Sequence, residues 1–223
     1  MRDYRWLHKY CLNRFGSAEA LEARLPTPAS AETLRATGDD RYLSQISLRV
    51  FRAGLKHSLV DAKWPAFEEA FFGFVPDKVV LMGGDHMERL MGDTRLIRHL
   101  AKLSSVPRNA QMLLEVRGEH GSFGAFLAAW PEEDITGLWR YLAKHGSQLG
   151  GLSAPRLLRM VGKDTFIPSE DVVIALTAQG IIDKAPSSQR DQAAMQAAFN
   201  AWREQSGRPL CQLSMMLALT VNH

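Results

Sequence analysis

Residues 157–165 read Leu157-Leu158-Arg159-Met160-Val161-Gly162-Lys163-Asp164-Thr165, and this stretch decides the fold. Its apolar residues close one helix against a core. Gly162 then supplies a turn, because a residue without a Cβ atom adopts a positive φ without strain. Ser169 follows as a helix N-cap, with two acidic residues and an apolar run behind it. The pattern predicts two helices joined by a hairpin over 157–171.

The hairpin brings hydrogen-bond donors and a positive charge to one point of the chain. Backbone amides around Gly162, the ammonium of Lys163 and the hydroxyl of Thr165 together suit a phosphate group. A simple C-cap of the first helix is the competing interpretation of the same residues. We therefore predict that Gly162, Lys163 and Thr165 contact a phosphate.

Composition limits the class of protein. The chain has 223 residues, of which 46% are hydrophobic, so it can bury a full core. Cys11 and Cys211 stand near opposite ends without a CxxC pair, which is typical of thiols in a reducing compartment. Residues 1–10 show no leader pattern, and no apolar run reaches the roughly 18 residues that a membrane helix needs. We expect a cytoplasmic protein whose net charge of +3 permits a polyanionic partner.

Helical periodicity recurs along the whole sequence, and no stretch alternates apolar and polar residues over a useful length. The chain is therefore predicted to be all-α, with about ten helices. We expect a helical appendage over 1–36 and a main domain over 37–223. Helix starts are predicted at serines: Ser17, Ser30, Ser122, Ser169 and Ser188. Further predictions are a helix opened by Trp64-Pro65, a cap at Asp85 and a helix over 94–116 that kinks at Pro107.

The middle of the chain carries a resemblance to a known family. Residues 42–117 resemble the type I 3-methyladenine DNA glycosylases in order and spacing, through Ala53-Gly54-Leu55, Phe67, Phe71, Gly73-Phe74, Pro76, Lys78-Val79, Met82, Asp85, Glu88-Arg89-Leu90, Asp93, Ile97-Arg98-His99, Lys102 and Asn109-Ala110. The resemblance implies a helix-hairpin-helix DNA glycosylase fold. It also implies a monomer that releases a damaged purine such as 3-methyladenine from double-stranded DNA by N-glycosidic hydrolysis, without a cofactor. The alternative is a non-catalytic DNA-structure-binding protein that keeps the hairpin and has lost the base pocket.

Two positions depart from the family pattern. Arg49 stands where the family has its pocket carboxylate, and His57 stands where it has its pocket tryptophan. An arginine repels a cationic base that a carboxylate attracts, so we expect a base preference moved away from cationic bases. The stretch 180–185 offers no His or Cys where the family has zinc ligands, and Cys11 with His8 does not make a site of four. We expect no metal.

Site residues follow from the resemblance and from residue chemistry. The base pocket is predicted to hold Arg49, His57, Tyr42 and Trp6, the two aromatic residues as stacking partners of an extruded base, with core packing as their alternative role. Arg98 and Lys102 are predicted to contact DNA beside the hairpin. Asp171 is the candidate catalytic carboxylate that stabilises an oxocarbenium-like sugar. The alternative role of Asp171 is to stabilise the N-terminus of its helix.

Overall fold

The computed structural model describes residues 1–221, and the secondary structure found there is helical. The all-α prediction is confirmed, although the helices are shorter and more numerous than predicted. They are α1 (Tyr4–Phe15), α2 (Ala18–Glu22), α3 (Ala31–Ala36), α4 (Asp39–Arg52), α5 (His57–Ala70), α6 (Pro76–Val79), α7 (Gly84–Gly92), α8 (Leu100–Leu103), α9 (Ser105–His120), α10 (Phe123–Ala129), α11 (Ile135–His145), α12 (Ser153–Met160), α13 (Glu170–Ala178), α14 (Gln189–Ser206) and α15 (Leu210–Ala218). Single 3-10 turns cover Phe72–Phe74 and Glu132–Asp134.

Serine N-caps set many of the helix starts. The predicted caps are confirmed, because each serine side chain accepts a hydrogen bond from a backbone N–H in the first turn: Ser17, Ser30, Ser122, Ser169 and Ser188. At Ser188 the Asp191 carboxylate also accepts the N-cap amide, which completes a capping box. Side-chain oxygens thus satisfy amides that have no partner inside the helix.

Three local predictions are wrong. Pro65 lies inside α5 and does not open a helix, because α5 already begins at His57. Residues 94–99 are not helical, and Pro107 falls in the first turn of α9, where a missing N–H costs no intrahelical bond and no kink is needed. Asp85 is the second residue of α7, whose N-cap is Gly83.

The chain divides into two compact units. Unit 1 comprises residues 1–29, 131–138 and 162–221 of the described chain, and unit 2 comprises 30–130 and 139–161. The predicted appendage 1–36 is therefore divided, with 1–29 in unit 1 and 30–36 in unit 2. Within the described residues, no helix has the length and apolar character needed to cross a membrane.

Unit 2 is built around α4. Apolar residues of α4 are almost completely buried, and the helix packs against α5, α9, α10 and α12. The predicted central helix is thus confirmed. Aromatic rings continue this core, with the Phe51 ring 4.6 Å from the Phe67 ring and Trp64 stacked 5.0 Å from Phe67. α4 therefore presents its polar residues from a fixed scaffold.

Unit 1 joins the two ends of the chain. α1 packs against α2, α14 and α15. The indole N–H of Trp202 donates to the Arg2 carbonyl over 2.9 Å, and the Arg208 Nε donates to the Tyr4 hydroxyl over 2.6 Å. Phe166 stacks on Phe199 with ring centroids 4.1 Å apart. These contacts hold the segment after the hairpin in a packed environment.

Candidate functional site

Four basic side chains gather at the C-terminal half of α4 in unit 2. Arg49 and Arg52 lie nearly one turn apart on α4, and α12, which carries Arg156, packs against α4. Lys102 comes from α8, which also packs against α4. Burial lowers the pKa of Arg49, and Arg156 and Arg52 lower it further. This part of α4 is therefore a region of positive potential.

Arg49 is the exceptional member of this group. Only 5% of the residue is exposed, yet its Nε atom is buried without a hydrogen-bond partner in the described structure. No carboxylate within residues 1–221 forms an ion pair with it, whereas Arg52 pairs with Asp61 at 2.7 Å. A buried cation without compensation is destabilising by several kcal/mol. Such a group is typical of a site that receives a ligand.

Lys102 does not occupy the predicted DNA-facing position. It is 9% exposed, and its Nζ atom donates to the carbonyls of Phe51 and Ala53 at 3.2 and 2.5 Å. These carbonyls lie at the C-terminal end of α4, where a helix favours a positive charge. Burial, followed by Arg49, lowers the pKa of Lys102. The prediction of a DNA contact is wrong, because the ammonium stabilises a helix end inside unit 2.

The other predicted pocket residues have different surroundings. His57 is exposed at the start of α5. Tyr42 is 1% exposed, donates to the Leu34 carbonyl over 2.7 Å and meets Phe123 edge to face. Tyr42 is thus a core residue and cannot stack on a base. Trp6 belongs to unit 1, where it is half-buried with the Arg2 guanidinium 4.5 Å above its ring.

Gly162 adopts the predicted left-handed conformation, with φ of +85°. Its close neighbour is Ala29. The Gly162 carbonyl accepts the Ala29 N–H at 2.9 Å, and a Cβ atom at Gly162 would lie 2.6 Å from the Ala29 Cβ. The glycine is therefore required by both φ and close packing.

Lys163 is buried, so the predicted phosphate contact by its ammonium is wrong. The residue is 3% exposed and its Nζ lies 3.9 Å from the Glu132 carboxylate. Burial lowers the pKa of Lys163, whereas Glu132 and Asp164 oppose that effect. Glu132 also binds Arg203 at 2.5 Å. Lys163 thus serves an internal charge network of unit 1.

Asp164 has a structural role that the sequence did not reveal. Its carboxylate accepts the backbone N–H groups of Leu210 and Cys211, each at 2.8 Å, at the N-terminus of α15. Pro209, the N-cap of α15, provides no side-chain cap. Thr165 is completely buried and its hydroxyl donates to the Phe166 carbonyl, so it does not face a phosphate either. The hairpin loop is bound to the C-terminal helix.

Asp171 lies in the first turn of α13, directly after the Ser169 cap and Glu170. It is half-buried, whereas Glu170 is exposed. Arg98 is exposed in the non-helical segment before α8, so it can contact a partner. Its predicted role and that of Asp171 stay predictions. In the described part of the chain, no three or more His, Cys, Asp or Glu residues come together as metal ligands.

Comparison with known proteins assigns the family. Residues 33–148, just over half of the chain, match the family described as methyladenine glycosylase. The chain belongs to the methyladenine glycosylase family. A DNA-3-methyladenine glycosylase of Haemophilus influenzae is 31% identical over 87 residues, which are 39% of this chain and 47% of the relative. The chain thus matches about half the length of this curated relative.

Solved structures agree on the fold. A 3-methyladenine DNA glycosylase I from Staphylococcus aureus has a TM-score of 0.51 at 24% identity, covering 69% of this chain and 90% of its own. An 8-oxoguanine glycosylase/lyase from Methanocaldococcus jannaschii, solved with DNA containing 8-oxoguanine, has a TM-score of 0.52 at 13% identity, covering 96% of this chain and 95% of its own. The predicted glycosylase-like bundle is confirmed.

The family match covers some of the candidate site residues and leaves others outside. Residues 33–148 contain Arg49, His57 and Arg98, and they end before the hairpin. Trp6, Gly162 and the other unit 1 candidates lie outside the match. The positively charged end of α4 therefore belongs to the family region, and Asp171 does not.

Proposed function

We propose that the protein is a DNA N-glycosylase that releases a damaged purine, such as 3-methyladenine, from double-stranded DNA. The observation that carries this proposal is the family match over α3–α11, a region that includes the buried and uncompensated Arg49. The names of the Haemophilus and Staphylococcus relatives support an alkylated purine as the base. The protein would act as a monomer in the cytoplasm.

The proposed reaction begins with a damaged nucleotide turned out of the duplex. Arg49 and His57 would line the pocket for the extruded base, and exposed Arg98 would bind a backbone phosphate. As the N-glycosidic bond breaks, positive charge develops on the sugar. The Asp171 carboxylate would stabilise this charge and accept a proton from the attacking water. The products are the free base and an abasic site.

Base release from alkylated duplex DNA tests the proposal. Wild-type protein should release free purine, and Asp171→Asn should slow release by about a hundredfold or more, as expected for loss of a general base. Glu170→Gln is the matched control, because it changes the neighbouring acidic residue in the same helical turn. It should retain wild-type release.

Two outcomes would contradict the proposal at different levels. Equal release by Asp171→Asn and wild type would remove Asp171 from the chemistry and leave the enzyme standing. Duplex binding by wild type without release of any purine would refute the glycosylase and leave the non-catalytic DNA-binding protein.

A further inference from the structure

Arg49 is a buried cation whose compensation is missing from the described chain. With 5% exposure and an Nε atom that has no hydrogen-bond partner, it differs from Lys102, which is also buried in unit 2 but donates to two carbonyls. Resting on the proposed glycosylase function, we infer that the Arg49 guanidinium binds an acceptor-bearing group of the substrate nucleotide. That group supplies hydrogen-bond acceptor atoms, with a partial or full negative charge, that the protein does not.

Nearby acidic residues of unit 2 do not neutralise Arg49. Asp61 is paired with Arg52. Glu68 accepts two hydrogen bonds from Arg41 and one from the Ser44 hydroxyl. Asp39 and Asp40 are in the first turn of α4, roughly 14 Å along the helix axis from Arg49 at 1.5 Å per residue. Asp61 and Glu68 are therefore paired with other side chains, and Asp39 and Asp40 are too far along α4 to pair with Arg49.

Two other basic side chains of unit 2, those of Lys102 and Arg41, find acceptors within the protein. Lys102 donates to two carbonyls, and Arg41 donates to Glu68 and to the Gly73 carbonyl. Arg49 receives only repulsion from its charged neighbours, Arg156 and Arg52. Arg49 lies in the last turn of α4, where the helix C-terminus favours a positive charge, but this effect gives its buried Nε atom no hydrogen-bond acceptor.

The shape of the guanidinium restricts the ligand. Its planar donors match two adjacent acceptor atoms, as in a phosphate or in the O6 and N7 edge of a 6-oxopurine. A base that carries a positive charge is repelled by the same group. Two sources of the acceptor are thus open: the backbone phosphate of the damaged nucleotide, or the edge of a neutral oxopurine.

Thermal unfolding with small probes tests the site without requiring catalysis. Arg49→Met retains an apolar stem and removes the charge, and Arg108→Met removes an exposed charge from α9 in the same unit as a control. Without ligand, Arg49→Met should melt at a higher temperature than wild type, because a buried charge is relieved. Saturating inorganic phosphate or hypoxanthine should raise the Tm of wild type and Arg108→Met by about 5 °C, and should leave Arg49→Met unchanged.

The two probes identify the source of the acceptor, with sodium chloride at matched ionic strength as the salt control. Stabilisation by phosphate alone assigns the backbone, and stabilisation by hypoxanthine assigns the base edge. In the second case, wild type should release hypoxanthine from duplex DNA at least about tenfold faster than 3-methyladenine, and Arg49→Met should reduce that ratio. Faster release of 3-methyladenine would overturn the assignment to the base edge.

The inference and the proposed function fail in different ways. No stabilisation by either probe, or equal stabilisation of wild type and Arg49→Met, overturns the role of Arg49 even where wild type releases a damaged base. Probe stabilisation that depends on Arg49, together with no release of any base, supports the acceptor site and refutes the glycosylase.

Discussion

Removal of the Asp164 carboxylate should destabilise the protein strongly, although this residue is not part of the proposed chemistry. Asp164 is 4% exposed and accepts the Leu210 and Cys211 amides at the start of α15. In Asp164→Ala, both amides lose their acceptor in a buried setting. Pro209 offers no side-chain replacement.

The expected loss follows from these two bonds. A hydrogen bond to a charged group contributes about 1.5 kcal/mol or more, so two give about 3 kcal/mol. Loss of an N-cap alone costs about 1–2 kcal/mol, which sets the lower limit. For a chain of this size, each kcal/mol shifts the Tm by about 2–4 °C, so Asp164→Ala should melt about 6–12 °C below wild type.

The assay is urea and thermal unfolding followed by far-ultraviolet circular dichroism. Asp164→Asn should lose about half as much stability, since its amide oxygen can still accept one of the two N–H groups. Asp183→Ala is the control, because it removes an exposed carboxylate. A loss of under about 1 kcal/mol in Asp164→Ala, or a loss equal to that of the control, would refute the capping role.

Two further predictions concern the hairpin and the surface. Gly162→Ala should cost about 1–2 kcal/mol in urea unfolding through its positive φ alone, and Ala29→Gly in the same chain should recover only the additional loss caused by the close Cβ contact. Full recovery would mean that φ is not the cause. Arg98→Met should lower the salt dependence of duplex binding by about 0.9 in logarithmic slope, and Lys102→Met should leave the slope unchanged because its ammonium is buried. A lower slope for Lys102→Met would contradict the internal role.

Local chemistry made the helices predictable from the sequence. A serine oxygen caps the amides that follow it, so the starts at Ser122, Ser169 and Ser188 depend on neighbouring residues alone. Proline was less informative, because the same residue is tolerated in the first turn of α9 at Pro107 and inside α5 at Pro65. Position within a helix decides its effect, and periodicity alone does not give that position.

The candidate site was predictable only in part, because burial depends on partners far along the chain. Lys163 and Thr165 looked like phosphate ligands beside a glycine turn. Glu132, 31 residues away, forms an ion pair with the Lys163 ammonium, and the fold buries both Lys163 and Thr165. The absence of a side-chain cap at Pro209 was the signal that could have pointed to Asp164. Arg49 was identified through its position in the family pattern, whereas its lack of a partner became visible only in three dimensions.

The joining of the chain ends in unit 1 has a consequence for folding kinetics. α1 packs against α14 and α15, and Tyr4 binds Arg208 across 204 positions of sequence. At a synthesis rate of about 5–20 residues per second, these partner helices are made roughly ten seconds or more after α1. Leu7 and Cys11, which are buried in the finished protein, have no such cover in the meantime. Unit 2 ends at residue 161 and is synthesised before α14 and α15, so we expect it to fold while Leu7 and Cys11 of α1 are still exposed to solvent.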